Sequence, residues 1–115
     1  MLKKLLKKIS SRLSCQAGEL YSIPLQGEFG ILKILKVDTK GIHVCLYSNL
    51  YKKCPSKINE KELFINPKDT SATPHAPLTY SSMKLWRPSF LQDSEVRREE
   101  LNSYFYWKEH HRYYI

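Results

Sequence analysis

The side chains in this chain most able to hold a metal or move a proton are histidine and cysteine, and His43 and Cys45 stand two apart in GIHVCLYS. On a β-strand that spacing puts both on one face, which is the beginning of a zinc site. Zinc asks for three or four such ligands, and no CxxC or HxxxH completes the set. The pair is therefore read as a packed thiol and an ordinary imidazole, and no metal or other cofactor is expected. His75, in a proline-rich stretch, and the adjacent His110 and His111 are the remaining candidate bases. A base does nucleophilic chemistry only beside a nucleophile, and no GxSxG elbow supplies one. The four glycines, at 18, 27, 30 and 41, cannot be written as either GxGxxG or GxxxxGK[ST]. The residues point to a protein that is not an enzyme.

Basic and aromatic side chains interleave from Tyr47 through Tyr51, Lys52 and Lys53, and a small barrel with such a groove stacks single-stranded bases over cations. The charge distribution argues against that reading. Of the net +8, residues 1–14 carry +5 with no acid, and residues 15–115 hold 14 basic and 11 acidic side chains, net +3. The body of the chain is only mildly basic, so nucleic acid is the least favoured partner.

The elements that position these residues are short strands. ELYSIPL (19–25), FGILKILKV (29–37) and GIHVCLYS (41–48) are rich in Ile, Val, Leu and Tyr, and Gly27 and Asp38-Thr39-Lys40-Gly41 separate them as turns. They predict an antiparallel meander. The middle run puts apolar residues on both faces, with Lys33 reaching outward over its stem, and Pro24 belongs at an edge or bulge. Residues 49–79 are broken by prolines around ELFI (62–65), a predicted fourth strand. LTYSSM (78–83) reads as one helical turn capped by Thr79, and LWRPSFL (85–91) as a last strand kinked at Pro88. Asp93 or Ser94 then caps a helix of about 15 residues, with Leu101, Tyr104, Phe105 and Lys108 on the side facing the sheet. The tail HHRYYI is either frayed or docked. The fold class is mostly β with flanking helices, a small curled antiparallel sheet or SH3-like barrel of four or five strands. Residues 18–110 make one β-rich domain.

Residues 1–14, MLKKLLKKISSRLS, predict an amphipathic helix in front of it. Leu2, Leu5, Leu6, Ile9 and Leu13 fall within an arc of about 100°, with the lysines outside it. This stripe is a docking face for the domain itself first, and for a membrane surface or a targeting receptor second. At roughly 20 Å such a helix is too short to cross a bilayer. There is no apolar h-region or cleavage site of a signal peptide, and Cys15, Cys45 and Cys54, odd in number, match no disulfide framework. A reducing cytoplasm is the expected compartment.

The stretch GELYSIPLQGEFGILKIL (18–35) resembles the opening of immunity protein 26, a family of bacterial polymorphic-toxin immunity proteins: Gly18, Ile23, Pro24, Leu25, Gly27, Phe29 and Gly30 occupy its positions. Residues 77–109 are similar to its second half, a Pro-Leu turn, a strand and an acidic start to an aromatic-rich helix. The resemblance covers about half the chain and implies a non-catalytic, mostly β domain that binds a cognate protein toxin and blocks it. The leader 1–14 is a departure from that pattern. Such blocking needs a rigid scaffold and an interface of roughly 1,200–2,000 Å², anchored by aromatic or Arg residues. Tyr47, Tyr51, Lys52 and Lys53 after the third strand, and Trp86 and Arg87 near the last, are the candidate contacts. A membrane-surface adaptor held by residues 1–14 and a nucleic-acid-binding barrel are the alternatives, and the oligomeric state is left open.

Overall fold

The computed structural model describes residues 15–110 and 112–115. The predicted helix over 1–14, with its docking face of Leu2, Leu5, Leu6, Ile9 and Leu13, lies outside the described residues. The rest is built on one antiparallel sheet of five strands, β1 (Glu19–Leu25), β2 (Glu28–Val37), β3 (Ile42–Tyr51), β4 (Thr73–Leu78) and β5 (Ser89–Asp93), in the spatial order β4-β3-β2-β1-β5. Helix α1 (Tyr80–Leu85) joins β4 to β5, and α2 (Asn102–His110) follows a 3-10 turn at Arg98–Leu101. No helix of the described residues is long and apolar enough to cross a membrane.

The meander forms where the turn residues demand it. Gln26 and Gly27 both take positive φ, 50° and 84°, between the paired Leu25 and Glu28, the two-residue hairpin whose twist matches that of the strands. In the next turn the Asp38 carboxylate accepts the N–H groups of Lys40 and Gly41, each at 2.8 Å. Pro24 sits beyond Ser22, the last β1 residue paired with β5, so its missing N–H costs no ladder bond. At the other end of β1, Gly18 is at φ 93°, and a Cβ there would lie 2.1 Å from the Ser94 carbonyl.

The sheet does not close, and the SH3-like barrel is not formed: β4 and β5 are edges without a bond between them. Other segments cover both. The Ile115 N–H donates to the Pro77 carbonyl at 2.7 Å along β4, and the Gln92 side chain on β5 accepts the Ile58 N–H at 3.0 Å.

Both faces of β2 are buried. Leu32 and Ile34 join Tyr21, Ile42, Val44 and Leu78 under Met83 of α1, while Ile31 packs with Leu20 and Ile58 on the opposite face. Lys33 does not reach outward as expected: it is 4 % exposed and paired beneath the turn that leads into α2. Three further expectations are corrected. ELFI is no strand, because Asn49 of β3 fastens it as a loop, donating to Glu62 O and accepting from Phe64 N, both at 2.9 Å. The fourth strand is TPHAPL, and the last strand starts at Ser89, with Leu85 belonging to α1. The last helix starts well after Asp93 and Ser94, since Asp93 ends β5 and Ser94 bonds Gly18. Its buried residues are Tyr104 and Trp107, with Phe105 exposed. The short helix at Tyr80–Leu85 does carry the Thr79 cap, which accepts the Ser82 N–H at 3.1 Å.

Candidate functional site

Of the six predicted contacts, three come together. Tyr47, Trp86 and Arg87 line a groove of about 450 Å³ whose floor includes Ile23, Leu25 and Leu46. The local sequence explains the arrangement. Helix α1 runs into Trp86, which caps it and packs, partly buried, on the core cluster. Arg87 then takes φ 53° immediately before Pro88, a left-handed backbone that costs a non-glycine residue about 1–2 kcal/mol and that the following proline also disfavours. The turn lets β5 begin at Ser89 while the guanidinium stays at the groove. Leu85, 79 % exposed, lines the same groove. Tyr51 packs, as Tyr47 does, on the opposite-face cluster with Leu20 and Ile31 but does not line the groove, and Lys52 and Lys53 are exposed in the bend after β3 without lining it.

Tyr47 also borders a polar cleft of about 610 Å³ shared with Lys33, Glu60, Lys61, Arg97 and Glu100. At its base the Lys33 ammonium donates to the Glu95 carbonyl at 2.6 Å and to both Glu100 oxygens at 2.9 and 3.1 Å. Glu100 also accepts the Arg97 N–H at 2.9 Å. Burial pushes the Glu100 carboxyl up, but its bonds to Arg97 and Lys33 outweigh that and hold it below its ordinary value. The charges are matched within the cleft. Burial raises the Cys45 thiol to about 12 and drives the Tyr47 phenol upward as well, which disfavours the thiolate and the phenolate.

His43 lies on the same face as Cys45, as the two-residue spacing predicts, but it belongs to a different cluster. It is fully buried. Its Nε2 is 2.7 Å from Asp38 Oδ2 and its Nδ1 is 2.9 Å from His75 Nε2. The ionised carboxylate only accepts, so Nε2 of His43 carries the proton, and a neutral His43 then accepts from the Nε2–H of His75. Tyr104 and Trp107 meet the His43 ring edge-on at 4.6 and 4.7 Å between centroids, and Tyr114 tilts against it at 5.5 Å.

Burial lowers His43 despite the opposing bond from Asp38, and burial together with the neighbouring His43 lowers His75 to about 4. Burial raises the Asp38 carboxyl, but the bonds from Tyr114, His43 and the Lys40 and Gly41 amides reverse this and hold it well below the carboxylate range. The relay is therefore two neutral imidazoles tied to an anion. The hydroxyl among its hydrogen-bond partners is the Tyr114 phenol, which donates to Asp38 Oδ2, and no group of three or more His, Cys, Asp or Glu among the described residues could hold a metal. His110 bonds the Tyr106 carbonyl on the surface at 2.8 Å, and His111 lies outside the described residues.

Sequence reasoning missed Asp38 and Tyr114. Asp38 reads as a turn former, and only the hairpin register, which folds His43 back beside it, shows that one of its oxygens serves the turn and the other the histidine. The i, i+3 spacing of Tyr104 and Trp107 was the available sign that this side of the helix faces the sheet. No family model matches the chain, and neither a curated protein nor a solved structure does.

Proposed function

We propose that this chain is a non-catalytic binding domain that docks a protein partner over the Tyr47–Trp86–Arg87 groove, and that the partner is a bacterial toxin neutralised in the cytoplasm of the cell that makes it. The observation that carries the first part is the composition of the groove. An indole, a phenol and a guanidinium stand around an apolar floor, the residue types in which binding energy concentrates at protein interfaces. Arg87 is held there at the expense of backbone strain, and such strain persists where the position serves something other than folding.

The second part rests on the resemblance of residues 18–35 and 77–109 to the immunity family. Two glycines of that pattern, Gly18 and Gly27, have backbone duties at positive φ, so the pattern speaks for the scaffold, and the toxin as partner class comes from the resemblance alone. A protein partner is favoured over single-stranded nucleic acid because residues 15–115 carry only +3 of the net +8.

The test is co-expression with the toxin domain encoded beside the gene, together with a direct binding measurement. The expected result is rescue of growth, and loss of at least about 2 kcal/mol of affinity, roughly 30-fold, in Trp86→Ala and Arg87→Ala. Failure to rescue removes the toxin reading. Rescue that both variants retain in full moves the interface off the groove.

A further inference from the structure

The segment 112–115 lies on the domain as a bound peptide would. Its backbone is gripped from two sides. Ile115 exchanges bonds with the end of β4, donating to Pro77 O at 2.7 Å and accepting from Thr79 N at 3.0 Å, and the Ser82 hydroxyl adds a bond to Ile115 O at 2.8 Å. Across from β4, the Trp107 indole donates to Tyr113 O at 2.9 Å. Side chains alternate as in a strand: Tyr113 and Ile115 are 78 % and 67 % exposed, and Tyr114 between them is inserted.

The slot that takes Tyr114 is built for a phenol. Trp107 stands edge-on at 5.1 Å between centroids, His43 forms the wall, and Asp38 Oδ2 accepts the hydroxyl at 2.5 Å. The floor is Gly41, where a Cβ would fall 2.9 Å from the Tyr114 ring and 2.1 Å from Leu78 O.

A space of about 180 Å³ remains beside Tyr114, and its walls bring Lys40, Lys108 and Arg112 together. The only carboxylate there is Asp38, whose oxygens are already engaged by Tyr114, His43 and the turn amides. Arg112 adds a third cation to this rim; it closes α2 at φ 63°, its N–H donating to Trp107 O at 3.2 Å and its Nε to Lys108 O at 2.8 Å. A segment with a carboxylate at that position would meet Lys40 and Lys108 as a counter-charge.

We infer that the β4 end, the Trp107 indole and the Asp38–His43–Gly41 slot form a recognition site for an extended protein segment of the pattern acidic-x-Tyr-aliphatic. The chain's own tail is a placeholder that such a segment displaces. None of these residues lines the Trp86 groove, and the site stands independently of it. Recognition is by strand addition: backbone bonds supply affinity and the tyrosine slot supplies selectivity.

The experiment uses the full chain, as wild type and as Tyr114→Ala, titrated with capped peptides Glu-Tyr-Tyr-Ile, Arg-Tyr-Tyr-Ile and Glu-Tyr-Ala-Ile, with calorimetry and the Trp107 indole N–H resonance as readouts. The tethered tail competes at millimolar effective concentration. The acidic peptide is therefore expected to bind Tyr114→Ala at least about tenfold more tightly than the wild type. The arginine peptide binds more weakly, with a difference that shrinks in salt, and the alanine peptide leaves the indole resonance in place. Equal binding of the tyrosine and alanine peptides, or no binding to a folded Tyr114→Ala, overturns the inference. If Tyr114→Ala does not fold, Tyr114→Phe keeps the ring and loses the bond to Asp38. Equal affinity of the acidic peptide for Tyr114→Phe and wild type then overturns it.

Discussion

The two faces of β2 are buried by different means. Under α1 the side chains are aliphatic, with one methionine and the edge-on pair Tyr21–Phe90. Under α2 the same strand sends Lys33 into a buried pair with Glu100, and its neighbour β3 sends His43 into the Asp38–His75 relay. The first face depends on volume, since removing methylenes there leaves a cavity. The second depends on charge and proton count, since each buried polar group is tolerable only while its partner is present. A single strand thus belongs to two layers that fail under different conditions.

The contrast breaks most severely at Glu100. Its removal in Glu100→Ala leaves Lys33 buried with one carbonyl partner, and about 3–5 kcal/mol of stability is expected to go. The double variant Lys33→Met with Glu100→Leu should recover most of it, as urea unfolding will show. If the single variant costs no more than an exposed pair, about 1 kcal/mol, the second face is not held by charge.

A smaller effect separates the faces by acidity. His75 titrates near 4 in the folded protein and at its ordinary value when unfolded, so between about pH 6.5 and 4 the unfolded chain binds more protons. Stability therefore falls as pH drops through that window, by on the order of 2 kcal/mol after discounting for solvent screening. Below it, protonation of Asp38 continues the loss. The depression of His43 has the same sign. Replacing the imidazole in His75→Gln should flatten the profile between pH 4 and 6.5; an unchanged slope in thermal melts assigns the acid sensitivity elsewhere.

The least effect, and of opposite sign, is expected at Arg87. Glycine accepts the left-handed backbone freely, so Arg87→Gly should unfold up to about 1 kcal/mol later than wild type while losing partner affinity. A variant that is both less stable and fully able to bind contradicts the reading of that residue as strained for function.

The sheet was legible where hydrophobic runs and turns agree. β1 is ELYSIPL itself, and the Gln26-Gly27 and Asp38–Gly41 turns stand where the glycines place them. β4 was hidden by Pro74 and Pro77, which break a central strand but are harmless on an edge. ELFI has the composition of a strand and is kept from being one by side-chain bonds from β3, which periodicity does not encode. Lys33 read as a surface lysine because its partner is 67 residues away. The groove was half visible: Trp86 and Arg87 are adjacent in sequence, but only the positive φ at Arg87 shows why they face one cleft. Asp38 had a sufficient local role as a turn residue, which concealed its other one.

The bonds from Ser48 and Asn49 to the loop beyond β3 bear on the molecule's behaviour in crowded solution. β3 runs on past β4, which pairs only as far as Leu46. That overhang would be an open strand edge carrying Leu50 and Tyr51. The Ser48 N–H instead donates to Phe64 O, the Ser48 hydroxyl accepts the Asn66 N–H, and Asn49 holds Phe64. Two small polar side chains thereby hem a stretch of sheet along which identical molecules would otherwise stack into fibres, and protein concentration, more than temperature, is the stress under which their loss would be felt.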